Sequence, residues 1–210
     1  MRRTSNRQSR ADAVLLLKSL IRLIPSATLM NLPQNFFEEI VKVLRDRISY
    51  QTMKAALQVL YGVSELGRNT VKAVGAGAVH VLVELQLDEP EKKGCQMMMA
   101  MLGELCGCAD GRSAVLRHAA GLAKKMVGIS SASTESAVRI LHAISLHPGT
   151  ARVIEEMLQV GVVSKLCFLL QRECWNSTRE MMKELLRMHY KAWRSSPYLT
   201  PQLKPLYPPA

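Results

Sequence analysis

With 210 residues, 48% of them hydrophobic, the chain can bury one continuous core, and because only 5% are aromatic it must fill that core mainly with Leu, Val, Ala and Met. The net charge of +11 is uneven: residues 1–10 carry four arginines and no acid, residues 171–210 carry seven bases and three acids, and the stretch between carries 17 bases against 14 acids. Nucleic-acid binders concentrate bases on one face, so nucleic acid is not an expected partner, and no apolar run approaches the ~20 residues that span a bilayer.

Arg2, Arg3, Arg7 and Arg10 make residues 1–10 a basic arm, expected to be disordered. The Arg- and Ser-rich start has a weak transit-peptide flavour, but Ala11–Ile24 carries the same helical periodicity as the segments downstream and reads as the first helix, ended before Pro25. Asn35 is the expected N-cap of a helix running through Arg47, with Glu38 in its first turn. Thr52–Leu66 then closes an incomplete first repeat.

Three glycine pairs organise the rest: Gly67 with Gly77, Gly111 with Gly121, and Gly149 with Gly161. The first members lie 44 and 38 residues apart and the second members 44 and 40 apart, a period near ~40 that belongs to armadillo and HEAT arrays. Each unit opens with a short helix: Asn69–Val74, Ser113–Ala119 and Thr150–Gln159. A glycine ends it and turns the chain, and a second helix follows: Val79–Gln86, Leu122–Ile129 and Val162–Gln171. Polar linkers (residues 88–91, 130–133 and 176–177) precede the third helices Gly94–Cys106, Thr134–Ser145 and Thr178–His189, and Ser177 with Glu180 has capping-box spacing. Three helices per unit is the armadillo arrangement. The expected fold is therefore an all-α armadillo-repeat superhelix, a right-handed α-solenoid over residues 11–195. The tail 196–210 is rich in proline and expected to be extended.

The third helices superpose on Leu60, Leu102 and Leu141, with Leu186 in the last. Ala56 and Leu57, Met98 and Met99, and Ala137 and Val138 then fall in register as the buried stripe. Beside that stripe lie Lys54, Gln58 and Tyr61, then Gln96, then Glu135, Arg139 and His142. Third helices line the concave groove of an armadillo superhelix, so these seven are the candidate partner-binding residues, although any one of them also fits an ordinary solvated position. Arg139 and His142 are the strongest single candidates, with Tyr61 and Arg139 the pair to change together, because interfaces are enriched in Tyr and Arg.

Chemistry is hard to find. GxSxG, GxxxxGK[ST], HExxH and a strand-borne GxGxxG are all missing, and Gly75-Ala76-Gly77-Ala78 reads as a turn between helices. The adjacent pairs Glu38-Glu39 and Glu155-Glu156 project to different sides of a helix. Cys95, Cys106, Cys108, Cys167 and Cys174 are odd in number and mostly sit in apolar stretches, which suits reduced, buried thiols in a cytosolic or nuclear protein. No second Cys or His pair at ligand spacing accompanies Cys106-Gly107-Cys108, so neither a metal nor any other cofactor is expected. A solenoid of this kind is usually a binding surface.

The segments LLLKSL, VKVLRDRISYQTMKAALQVL, GRNTVKAVGAGAV, ELCGCADGR, HAAGLAKKM, AVRIL, EMLQVGVVSKLCFLLQ and AWRSSP resemble the C-terminal armadillo region of plant U-box ubiquitin ligases over about residues 11 to 207. The resemblance implies a division of labour, in which a U-box recruits the ubiquitin-conjugating enzyme and the armadillo repeats bind the protein substrate, in largely cytoplasmic proteins of stress and immune signalling. Two features depart from the family pattern. A U-box is missing, with Met1 falling just before the repeats, so the chain is expected to be inactive as a ligase alone. Gly121-Leu122-Ala123 also runs directly into Lys124-Lys125, which implies a short or distorted second helix. The expected function is thus a substrate-recognition module in the cytoplasm, with the nucleus as second location. A stand-alone armadillo adaptor is the main alternative, and a basic nucleic-acid-binding solenoid the next.

Overall fold

The structure, a computed structural model, describes residues 2–66, 68–88, 92–118, 131–146, 155, 158–159, 161–171 and 176–194. These residues are helices and turns, and there is no strand among them. In chain order the helices are α1 (Arg2–Leu20), α2 (Ser26–Met30), α3 (Gln34–Asp46), α4 (Tyr50–Ser64), α5 (Asn69–Gly75), α6 (Ala78–Asp88), α7 (Lys92–Leu105), α8 (Ala109–Leu116), α9 (Ser131–Ser145), α10 (Val162–Leu170), α11 (Asn176–Met188) and α12 (Tyr190–Arg194), with a 3-10 turn over Ile21–Leu23. The chain divides into two compact units, Met1–Ala114 and Val115–Ala210.

In the first unit, α1 packs on α4 and α4 on α7. These are successive rungs of one ladder, because α4 and α7 are the third helices of their repeats and α1 takes the same place one step earlier. The short α5 and the longer α6 pack against α3 and α7 behind the ladder. Leu57, Leu60, Leu82, Met98, Met99, Met101, Leu102 and Leu105 are almost wholly buried between these layers. Three methionines in one turn of α7 fill the irregular space that helix-on-helix packing leaves. In the second unit α11 packs on α9 and on α10, around Val138, Leu141, Leu166, Met182, Leu185 and Leu186.

Polar clamps hold the corners of the first unit. Asn69, fully buried at the start of α5, donates through Nδ2 to Leu29 O at 2.7 Å and to Val63 O at 2.9 Å. Lys72 Nζ donates to Leu32 O at 2.6 Å, and Gln34 Nε2 donates to Lys72 O at 3.1 Å. One short helix thereby satisfies carbonyls left over at the ends of α2 and α4. Gly77 (φ +85°) and Gly161 (φ +76°) adopt the left-handed conformation that the repeat period requires of them.

Several boundaries differ from the sequence expectations. The segment expected as a disordered arm is helical from Arg2 as part of α1. Arg7 Nε and Arg10 Nη2 reach Asp46 at 3.3 and 2.5 Å, so charges that would repel along a free arm are held by the end of α3. Helix α3 starts at Gln34 after Pro33, which places Asn35 inside the helix instead of at its cap and Glu38 beyond the first turn. Helix α4 starts at Tyr50 because Ser49 caps it, its side chain accepting from Thr52 N at 3.1 Å. Helix α8 starts at Ala109, four residues before the expected Ser113, so Gly111 lies inside it. A Cβ on Gly111 would sit 1.7 Å from Leu105 O, so this glycine serves close backbone contact and does not precede the helix. Helices α9 and α11 begin at Ser131 and Asn176, within segments expected as linkers, and Ser177 lies in the first turn of α11 instead of capping it. The expected helix Leu122–Ile129, most of Thr150–Gln159, residues 89–91 and the tail from 195 lie outside the described residues.

Candidate functional site

The seven residues singled out from sequence fall on three rungs. Lys54, Gln58 and Tyr61 on α4 are all exposed, spaced so that they form one stripe beside the buried Leu57 and Leu60. Gln96 on α7 is half-buried. In the second unit Arg139 on α9 is exposed, with Glu135 and His142 half-buried beside it. Arg139 Nη2 lies 3.4 Å from Glu135 Oε1 along the same helix, and His142 Nε2 lies 2.8 Å from Glu184 Oε2 on α11.

The His142–Glu184 contact reveals the register between rungs. His142 follows the buried Leu141, and Glu184 comes two residues before the buried Leu186. One rung's residue after the leucine therefore meets the next rung's residue two before it. In the first unit the same two positions are Tyr61 on α4 and Ala100 on α7. Ala100 has no side chain to reach across as Glu184 does, and a cleft of about 930 Å³ opens there, lined by Tyr61, Met97 and Ala100 among others. Gly62, also in the lining, adds to the opening, since a Cβ there would meet nothing within 4 Å.

The wall of this cleft opposite α7 comes from the C-terminal end of α1 and the turn after it. Lys18 and Arg22 stand on that wall, together with Ile21, Ile24 and Leu29. Of the seven sequence candidates only Gln58 and Tyr61 line the cleft, whereas Lys54 and Gln96 do not. Lys18 and Arg22 were not singled out. Their four-residue spacing is visible in LLLKSLIRL, but only the packing of α1 against α4 turns it toward the ladder's open face.

The titratable groups show little that could be nucleophilic. Burial pushes the Cys106 thiol up to about 12, with nearby Arg112 pulling weakly the other way, so it stays protonated and inert at neutral pH. Arg112 Nη1 instead donates to Cys106 O at 3.0 Å, tying the corner before α8. Burial likewise raises the Cys167 thiol. Partial burial beside Trp193 lowers the His189 imidazole, opposed by a hydrogen bond to the Ser145 backbone. Among the described residues no group of three His, Cys, Asp or Glu side chains could hold a metal ion, and no helix is long and apolar enough to cross a membrane.

Comparison with known proteins agrees with this architecture. The family model of the plant U-box protein ARM repeat region matches residues 1–204. The chain is 40% identical over 207 residues to E3 ubiquitin-protein ligase PUB23 of Arabidopsis thaliana, covering 96% of this chain and 50% of that protein. It is 39% identical over 207 residues to E3 ubiquitin-protein ligase PUB22 of the same plant, covering 96% and 48%. PUB24, a third Arabidopsis E3 ubiquitin-protein ligase, is 36% identical over 151 residues, or 70% of this chain and 33% of its own length. The chain thus spans about half the length of the first two relatives, and less of the third. A crystal structure of an engineered protein from the Northeast Structural Genomics Consortium shares the fold, with a TM-score of 0.64 and 18% identity, covering 89% of this chain and 78% of that one. With a family-model match across nearly its whole length, the chain belongs to the armadillo-repeat region of the plant U-box proteins.

Proposed function

We infer that this chain is the substrate-recognition armadillo module of a U-box type ubiquitin ligase, acting in the cytoplasm in stress or immune signalling. Its relatives are named as E3 ubiquitin-protein ligases, and the family match takes up residues 1–204 without leaving room among these 210 for a U-box. Recruitment of the ubiquitin-conjugating enzyme therefore falls to a U-box outside these residues, and the helices described here hold the protein to be modified. The observation that carries this reading is the exposed third-helix stripe of Lys54, Gln58 and Tyr61 beside an open cleft. All three side chains are exposed, and repeat proteins present such equivalent positions of successive repeats to their partners. In the second unit Glu135, Arg139 and His142 offer a corresponding surface, and Gln96 on α7 extends the first.

The test is to immobilise the 210-residue chain, collect the proteins it retains from plant extract, and offer them to the chain joined to a U-box. Retained proteins are expected to be ubiquitinated by the fusion and not by the U-box alone or by the 210-residue chain alone. Equal modification by the U-box alone would remove the recognition role. Product from the 210-residue chain alone would instead reveal an enzyme-recruiting surface within the repeats.

A further inference from the structure

The lining of the first unit's cleft is chemically one-sided. Lys18 and Arg22 are exposed on its wall, and no Asp or Glu is among the lining residues. The same lining has an apolar part, with Leu29 and Leu57 buried and Ile21 and Ile24 half-buried. Gln58 and Tyr61 supply hydrogen-bonding groups along the opposite edge. Ala100 occupies the position from which, in the second unit, the Glu184 carboxylate reaches across to the neighbouring rung.

We propose that this cleft takes a linear segment of the partner protein in which carboxylate side chains alternate with aliphatic ones, the carboxylates set against Lys18 and Arg22 and an aliphatic chain against the apolar part of the lining. Charge complementarity selects this occupant: a cleft with two cations and no acid attracts carboxylates and repels a basic segment. In the second unit a carboxylate, that of Glu184, stands against His142 at the register position that Ala100 holds in the first. This inference rests on the reading of the third-helix face as the partner-binding surface, and it adds the chemical class of what binds there.

The experiment measures fluorescence anisotropy of a labelled peptide of alternating Leu and Glu, titrated with the full 210-residue chain at low salt, where exposed charges are least screened. Peptides with Gln or Lys in place of Glu are the comparisons. The Glu peptide is expected to bind at least about tenfold more tightly than the Gln peptide, and K18E/R22E to lose that advantage and favour the Lys peptide. Both residues are exposed, so K18E/R22E should melt like the parent. Ala100→Glu, which fills the cleft and brings its own carboxylate, should also abolish binding without unfolding the protein. Because the whole chain is basic, R117E/R187E, with the same charge change at exposed positions that do not line the cleft, must leave binding intact. Equal binding of the Glu and Gln peptides, or equal loss in K18E/R22E and R117E/R187E, overturns the proposal. If K18E/R22E binds like the parent while changing Gln58 and Tyr61 to Ala weakens capture of a retained plant protein, the acidic class is wrong but the binding face stands. If neither pair of changes affects capture, the recognition reading at this face fails with it.

Discussion

Rungs α4 and α7 of the first unit and rungs α9 and α11 of the second stand on the same register of buried leucines, yet their outer faces are finished differently. Between α9 and α11, Glu184 reaches His142 at 2.8 Å and occupies the gap. Between α4 and α7 the corresponding residues are Tyr61 and Ala100, and the gap remains as a cleft. The leucines that build the ladder are interchangeable in role, whereas the residues beside them differ between the units, Tyr61 and Ala100 against His142 and Glu184. The first unit fastens α5 to the ends of α2 and α4 with Asn69, whose amide bonds two carbonyls far apart in sequence.

The largest effects should come where the units are alike. Leu60→Ala and Leu141→Ala each remove a buried side chain from a rung and should cost about 2–5 kcal/mol of stability. Thermal or denaturant unfolding measures this, and a negligible loss at either position would break the shared register. A middle-sized effect should be confined to the first unit. Asn69→Ala strands the carbonyl of Leu29 at a buried corner, while Val63 O keeps its bond from Leu66 N, and should cost about 1–3 kcal/mol for the group left unsatisfied. Faster hydrogen exchange in α5 is the local signature, and unchanged exchange there would show that the clamp is dispensable. The smallest effect should come from Glu184→Gln. Glu184 is 55% exposed and His142 19%, so breaking the pair should change stability by no more than about 1 kcal/mol. A larger loss would mean that the bridge between α9 and α11 is structural, and would sharpen the contrast with the open first unit.

Many of the element positions could be read from sequence because a helical repeat writes its core locally. Ala56, Leu57, Met98, Met99, Ala137 and Val138 were placed by spacing alone, and all are buried. Some boundaries moved for local reasons, as where Ser49 caps α4, and others with the way the chain folds back on itself. Asp46 lies beyond α2 in sequence, yet it holds Arg7 and Arg10 and so accompanies a helix where a free arm was expected. Gly111 looked like the stop before a helix because its role, the approach of Leu105 O, depends on how the chain folds back after α7.

The binding face divides in the same way. Periodicity brought Gln58 and Tyr61 to the right side of α4, since a helix fixes which residues share a face with the buried stripe. It could not bring in Lys18 and Arg22, which come from another rung, nor set aside Lys54 and Gln96, which share the stripe's spacing but not the cleft. By itself the sequence determined the all-α repeat, its period and its leucine register, because these follow from residue spacing within one helix. Only the tertiary structure decided which packed rungs are also bridged by a carboxylate and which leave a cleft beside them, because that depends on which side chains neighbouring helices bring together.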